Sequence, residues 1–141
     1  MISAFGGDKY TLSNLARWKG QNETGITKLQ ENDAENVYAQ AFKYEHVIRA
    51  TCDDYRASAE EELGEHEDDQ KAGRKVDCDV LVLYSDAFLG SRGKIEVWQD
   101  WVGEKGTLET RGIGGGTGHF LAEEAPEETA EKMLAFYRAH V

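Results

Sequence analysis

Cysteine, basic residues and long apolar runs are all scarce in this chain, and each shortage excludes a class of protein. The two cysteines, Cys52 and Cys78, form no C-x-x-C pair, so we expect neither a disulfide framework nor a zinc site. The 16 lysines and arginines are outnumbered by 27 acidic residues, and the net charge of −11 argues against DNA or RNA as a partner. No apolar run approaches the roughly 20 residues of a membrane span, and the N-terminus lacks the features of a secretory signal. We therefore expect a cytoplasmic protein that binds no membrane.

The first half of the 141-residue chain is patterned for helices. Apolar residues at three- and four-residue spacing predict helices over residues 10–19, from Asp33 onward, and over residues 46–63, with Gly64 as the stop. Tyr55 lies on the apolar stripe of the third helix. We expect this stripe to face protein, and by residue type alone Tyr55 is a core residue whose hydroxyl reaches a partner.

The second half alternates between strand and helix patterns. Val80–Tyr84 is apolar on both faces, as in a parallel strand that helices cover on both sides, and Asp86 follows at the carboxyl end, where open α/β sheets place functional groups. A helix over residues 95–102, a strand over residues 107–113 and a last helix from Pro126 to Ala139 continue the order. The last helix is expected to turn three side chains inward: Met133, Leu134 and Tyr137. The pattern predicts an α/β fold, and the length suits one domain.

Two segments invite a binding-site interpretation that their details do not support. Residues 60–69 hold seven acids, but the calcium pattern D-x-[DN]-x-[DN]-G is absent, so we predict a solvated linker and no metal. Residues 112–118 are rich in glycine, but the last glycine of G-x-G-x-x-G is replaced by Thr117 or His119, and no lysine completes a P-loop. We predict a flexible connection there and no nucleotide or other cofactor.

His119 stands at the end of this glycine-rich loop and directly before a helix start. A loop held by rigid neighbours is a common place for a proton-transferring imidazole. By residue type alone, however, a single histidine is more often a surface residue, and His46, His66 and His140 have no better claim to a role. Asp86 alone could simply cap the segment that follows its strand.

Three separated segments resemble the C-terminal portion of α/β-hydrolase-fold enzymes, in particular the haloacetate (fluoroacetate) dehalogenase and epoxide hydrolase-like group. They are Cys52–Ala57, Ala72–Tyr84 and Gly118–Thr129, in the order that the family has them. The resemblance covers about residues 33–141. It implies a partial α/β-hydrolase fold, with a partial helical cap region over residues 1–66. Residues 67–141 would be the C-terminal part of the core, with the last two parallel strands and their flanking helices.

The resemblance also implies a mechanism and three site residues. In that family an aspartate displaces a halide or opens an epoxide, and a histidine then activates the water that hydrolyses the resulting ester. By position, His119 corresponds to this base and Tyr55 to a cap tyrosine that binds the leaving halide. Asp86 lies near the place where other α/β hydrolases take the acid partner of the histidine, although haloacetate dehalogenases take theirs from an earlier strand. The family implies no cofactor and no metal.

The departures from the family pattern concern its N-terminal half. The chain has no nucleophile elbow, no H-G-x-P segment for an oxyanion hole and none of the arginines that would hold a substrate carboxylate. Asp79 also stands where the family commonly has a proline. We expect a fragment that is inactive alone and that acts on a haloacid or an epoxide only when a nucleophile-bearing half completes it.

The N-terminal half could be a separate chain, an unassembled neighbouring reading frame, or lost, and other interpretations remain open. The chain could be one half of a split epoxide hydrolase-like enzyme, with a homo- or hetero-oligomer as the working form. It could instead be a non-catalytic α/β interaction module that pairs its exposed strands with a partner. An unrelated acidic domain with a chance match is the third interpretation.

Overall fold

A computed structural model describes residues 2–90, 93 and 95–140 of the chain, and these residues form two units. The first unit combines the chain up to Arg17 with Gln30–Gly73, and the second combines Trp18–Leu29 with the chain from Arg74 onward. The predicted cap over residues 1–66 and core over residues 67–141 stay a prediction, because the two units are defined by proximity and not by likeness to another fold.

Seven α-helices and two strands are present in the described residues. The helices are α1 (Ile2–Phe5), α2 (Gly7–Trp18), α3 (Glu23–Gln30), α4 (Ala34–Ala41), α5 (Glu45–Ala72), α6 (Leu121–Glu124) and α7 (Pro126–His140). The strands are β1 (Val80–Ser85) and β2 (Leu108–Ile113). Both predicted strands and the predicted helices at α2, α4, α5 and α7 are confirmed. Helix α3 was not predicted, and the helix predicted over residues 95–102 is a short 3₁₀ segment, Ile95–Trp101.

Helix α5 is longer than its apolar pattern indicates. It passes through Gly64 and ends at Ala72, where Gly73 adopts the left-handed conformation (φ +68°) that commonly ends a helix. The acid-rich residues 60–69 are therefore helical, and the prediction of a linker is wrong. Glutamate, lysine and glutamine are strong helix formers, and the ion pairs that Lys71 makes one turn back add to their effect.

Tyr55 on α5 is exposed, which corrects the expectation that its stripe faces protein. Its side chain is 72% exposed, and no residue of α5 is fully buried. Ile48 and Cys52 in the early turns are half-buried, while Leu63 further along is exposed. The spacing of the apolar residues predicts the helix correctly, but it does not reveal how much of the helix is covered.

The second unit is built on a two-stranded parallel sheet. The register pairs Val80 with Leu108 at the start of the strands and Ser85 with Ile113 at their end. Ile113 is completely buried, whereas Val80–Tyr84 are only half-buried, so β1 is less covered than its apolar sequence predicts. This sheet confirms the predicted pair of parallel strands in a partial α/β fold.

Helix α7 packs on the strands with a different face from the predicted one. Phe136 is its buried residue, and Lys132 and His140, four residues before and after it, are half-buried on the same face. The three side chains that were expected to point inward are 42–55% exposed: Met133, Leu134 and Tyr137. Hydropathy misplaces the face because the inward stripe carries a lysine and a histidine. Of the helices in the described ranges, none is long and apolar enough to cross a membrane.

Candidate functional site

The carboxyl ends of the two strands lie at one edge of the sheet, and the glycine-rich loop is fastened there. Ser85, the last residue of β1, is 3% exposed. Its Oγ donates to the carbonyl oxygen of Thr117 at 2.6 Å and accepts from the backbone N–H of Phe88 at 3.0 Å. Thr117 and Gly118 are themselves buried. The prediction of a flexible connection over residues 112–118 is therefore wrong, since the end of this segment is tied to β1.

Glu124 fastens the same loop from the other side. This carboxylate is 3% exposed and accepts three backbone hydrogen bonds. Its Oε2 accepts from Gly118 N–H at 2.9 Å and from Gly20 N–H at 2.7 Å, and its Oε1 accepts from Phe120 N–H at 3.1 Å. Sequence reasoning missed Glu124, although a carboxylate one turn after a glycine-rich loop is a known partner for unpaired backbone N–H groups.

The segment around Gly20 lies directly against the loop. His119 N–H donates to the carbonyl oxygen of Trp18, and Gln21 N–H donates to that of Gly116, both at 2.9 Å. A Cβ atom on Gly118 would lie 2.1 Å from the backbone nitrogen of Gly20, and one on Gly20 would lie 2.1 Å from the oxygen of Gly116. Only glycine fits at these two positions, because the two backbones approach too closely for any side chain.

The imidazole of His119 projects from this fixed backbone into an aromatic cluster. The ring is exposed, and its centroid is 4.8 Å from that of Phe88, 5.2 Å from Phe120 and 6.5 Å from Trp18. Within residues 2–90, 93 and 95–140, no carboxylate hydrogen-bonds its ring nitrogens. The backbone of His119 is thus held while its ring nitrogens stay available to a group outside this unit, as a general base requires.

Asp86 does not hydrogen-bond His119. It is the first residue after β1, and its carboxylate lies against the end of β2, since a Cβ atom on Gly112 would be 2.1 Å from its Oδ1. It lines an open cavity of about 570 Å³ together with several residues of the strands and of the 3₁₀ segment: Tyr84, Ile95, Glu96, Gln99, Leu108 and Thr110. Its role as the acid partner stays a prediction.

Tyr55 belongs to the first unit, whereas His119 and Asp86 belong to the second. Its role as a halide ligand likewise stays a prediction. No group of three or more histidine, cysteine, aspartate or glutamate side chains suited to a metal ion occurs among the residues with described positions. Cys52 and Cys78 are free thiols.

A second histidine cluster lies at the amino ends of the same strands. His140, at the end of α7, contacts Asp79 through Nδ1 at 3.0 Å and Glu109 through Nε2 at 2.8 Å. The guanidinium of Arg111 also binds Glu109, with its Nε at 3.0 Å from Oε2. Thr107 donates its backbone N–H and its hydroxyl to Asp79 at 2.8 and 2.7 Å. We call His140, Asp79 and Glu109 the clasp, because they join the last helix to both strands.

The contacts within the clasp stabilise the charged forms of its three side chains. The hydrogen bond to Glu109 and the charge of Asp79 raise the pKa of His140 above its ordinary value of 6.5, against an opposing effect of burial. Hydrogen bonds from Thr107, with a smaller contribution from His140, lower the pKa of Asp79. Hydrogen bonds from His140 and then Arg111 lower the pKa of Glu109. No motif in the sequence indicates this cluster, and His140 had no claim to a role by spacing.

Comparison with known proteins supports the partial fold. No family model matches this chain. A solved structure of a candidate epoxide hydrolase from Pseudomonas aeruginosa, a mutant with bound MFA, is similar with a TM-score of 0.79 and 27% sequence identity. The match covers 98% of this chain and 44% of that chain. The chain thus has the architecture of part of an α/β-hydrolase-like protein, and it spans less than half the length of the chain that it matches.

Proposed function

We propose that this chain is the base-bearing part of an α/β hydrolase that cleaves the carbon–halogen bond of a haloacid through an aspartyl ester. The observation that carries the proposal is the placement of His119, whose backbone is hydrogen-bonded and whose imidazole is exposed beside the carboxyl ends of two parallel strands. The crevice outside the carboxyl ends of the strands is where open α/β sheets commonly bind ligands. The similarity to part of an epoxide hydrolase favours the same class of reaction.

The proposed reaction needs a nucleophile that this sequence does not supply. An aspartate of a completing half attacks the carbon that bears the halogen. A C–O ester bond forms, and the C–X bond breaks with release of halide. His119 then takes a proton from water, and the water oxygen attacks the ester carbonyl. The ester breaks to give the hydroxy acid and the free aspartate. Because no G-x-D-x-G elbow is present in the 141 residues, we expect no turnover from this chain alone.

Different observations favour a haloacid and an epoxide as the substrate. The sequence segments around Tyr55 and His119 resemble the haloacetate dehalogenase group, while the similar solved structure is described as an epoxide hydrolase. Both substrates pass through an aspartyl ester and use the same histidine base. The epoxide is therefore the alternative substrate, and one assay can measure both.

The test combines this chain with the part of the Pseudomonas protein that it does not match. Fluoride release from fluoroacetate and diol formation from a small epoxide are measured for each half and for the mixture. We expect activity only in the mixture, and a loss of at least about 100-fold with His119→Ala, since a general base contributes roughly 10²–10⁴-fold. Fluoride release by this chain alone, or equal activity with and without His119, would contradict the proposal.

A second candidate function is a non-catalytic module that docks a partner strand. Among the described residues β1 pairs with β2 on one side only, and its apolar side chains are half-buried. A free edge of this kind is a template for pairing with another chain. Light scattering of the purified chain and the activity of the mixture together discriminate. A stable monomer whose mixture shows no catalytic gain favours the module. Activity on mixing favours the enzyme.

A further inference from the structure

We infer that Glu124 is a positioning residue for His119, holding the histidine backbone so that its imidazole keeps one direction. The inference rests on the proposed function of His119 for its catalytic consequence. The positioning itself rests on the geometry alone and can be measured on this chain. Neither the predicted site nor the mechanism above uses Glu124.

The hydrogen bonds of Glu124 bracket His119 on both sides. Its Oε2 accepts from Gly118 N–H and its Oε1 accepts from Phe120 N–H, at 2.9 and 3.1 Å. The N–H of His119 itself donates in another direction, to the oxygen of Trp18. Three successive N–H groups are thus fixed, the outer two by Glu124 and the middle one by Trp18. This leaves the Cα–Cβ bond of His119 with a single direction.

The third hydrogen bond of Glu124 connects a distant part of the chain. Its Oε2 accepts from Gly20 N–H at 2.7 Å, a residue 104 positions earlier. The same short segment supplies Trp18, whose indole lies 5.3 Å from the ring of Phe88 in an edge-on arrangement. The carboxylate therefore holds the histidine loop and one wall of the aromatic cluster to each other.

The burial of Glu124 supports a dedicated purpose. Burying a carboxylate is costly unless hydrogen bonds replace its water, and this one accepts from three backbone N–H groups. A glutamine has the same size, but its amide nitrogen is a donor and cannot accept from an N–H. Glu124→Gln thus keeps the packing and removes at least one of the three bonds.

The test is made by NMR on the full chain with Glu124→Gln and with Glu131→Gln as a charge-matched control on an exposed site of α7. Hydrogen exchange should accelerate at least about tenfold in Glu124→Gln at one or more of the amides of Gly118, Phe120 and Gly20, and stay unchanged at all three in the control. Contacts between the rings of His119 and Phe88 should weaken at least about twofold. Unchanged exchange in the amides of β1 would show that the fold is intact.

The outcomes separate positioning from the proposed reaction. Unchanged exchange and ring contacts in Glu124→Gln would overturn the positioning role. In the mixed-half assay, we expect Glu124→Gln to lower kcat at least about tenfold with little change in KM, since the base is misplaced in every bound state. Full kcat despite a loosened loop would overturn the inference for catalysis. A wild-type mixture without activity counts against the proposed function alone, while the NMR result still decides the positioning.

Discussion

The two ends of the small sheet each hold a histidine, and they hold it by different atoms. At the carboxyl ends, hydrogen bonds fix the backbone around His119 and leave its ring exposed. At the amino ends, the ring of His140 itself is bound between Asp79 and Glu109. The first arrangement suits proton exchange with a substrate or water, because the ring nitrogens are available. The second suits a structural link, because both nitrogens are committed.

The comparison also shows why acid partners alone do not identify a catalytic histidine. His140 has two carboxylates within hydrogen-bond distance, whereas the histidine of a catalytic triad has one. Yet its cluster joins α7 to the two strands, and Arg111 neutralises part of the charge of Glu109. Among the described residues, no carboxylate is hydrogen-bonded to the ring of His119. In the proposed function, its acid partner would be Asp86 or a residue of the completing half.

Of the two ends of the sheet, the carboxyl end has the larger expected effect. Gly118→Ala would place a Cβ atom 2.1 Å from the backbone nitrogen of Gly20, so the two segments must separate. We expect the free energy of unfolding to fall by about 3 kcal/mol, at the upper end of the usual cost of overpacking. Urea unfolding followed by circular dichroism measures the change.

Gly64→Ala is the matched control, because it is the same substitution in an open position. Apart from its chain neighbours and the backbone of α5, no described atom lies within 4 Å of a Cβ at Gly64, which is inside α5. Alanine should stabilise the protein by about 1 kcal/mol through its helix propensity. Equal effects of the two substitutions would show that the close approach at Gly118 is not what holds the loop.

A smaller effect is expected at the amino end, and it depends on pH. The folded-state pKa of His140 is raised, so its contribution to stability is complete below about pH 6.5 and is lost as the pH rises through the folded pKa. The folded-state pKa values of Asp79 and Glu109 are lowered from 3.8 and 4.5. Their contributions are present above those values and are lost as the pH falls through the folded pKa values. The clasp should stabilise most between about pH 4.5 and pH 6.5.

Thermal unfolding of wild type and His140→Gln at about pH 5.5 and pH 8.5 tests this sign. We expect the midpoint of the wild type to exceed that of the variant at the lower pH and the two to converge at the higher pH. Subtracting the variant removes the contribution of the other histidines and of the negative net charge, which both proteins share. A difference between the two proteins that grows with pH would contradict the clasp.

The sequence could predict elements whose causes are local. The apolar β-rich run at Val80 indicates β1, and the three- and four-residue spacing indicates α5 and α7. The position of His119 at the end of the glycine-rich loop was also predictable, since motif and neighbours are contiguous. The structural likeness to part of an epoxide hydrolase confirms the partial α/β architecture that the sequence resemblance implies.

The sequence could not predict the groups that hold the two histidines. Glu124 reaches Gly20 across 104 residues, and His140 reaches Asp79 and Glu109 across 61 and 31 residues. Such pairs depend on the tertiary fold, which local spacing does not encode. Charged residues inside a half-buried interface are also opposite to the hydropathy rule, which is why Lys132 and His140 were not expected on the inward face of α7.

The smallest expected effect concerns Tyr55, where pattern and structure disagree. Its place on the apolar stripe of α5 predicts a core residue, whereas its side chain is 72% exposed. Truncation of an exposed side chain changes the free energy of unfolding by at most about 0.5 kcal/mol, so Tyr55→Ala should leave stability nearly unchanged. Phe136→Ala, in the buried position of α7, should cost about 3–5 kcal/mol and serves as the comparison.

A second substitution of the same residue sharpens the comparison between a structural and a catalytic role for Tyr55. If Tyr55 binds halide once the nucleophile half is present, then Tyr55→Phe should lower turnover in the mixed-half assay by about tenfold while the unfolding midpoint stays constant. This expectation follows because a hydrogen bond to a charged group contributes roughly 1.5–3 kcal/mol, and only the hydroxyl is removed. If Tyr55 is exposed in this chain and needed for turnover in the mixture, it marks the surface that the proposed completing half covers. Unchanged turnover would remove Tyr55 from the proposed site and leave His119.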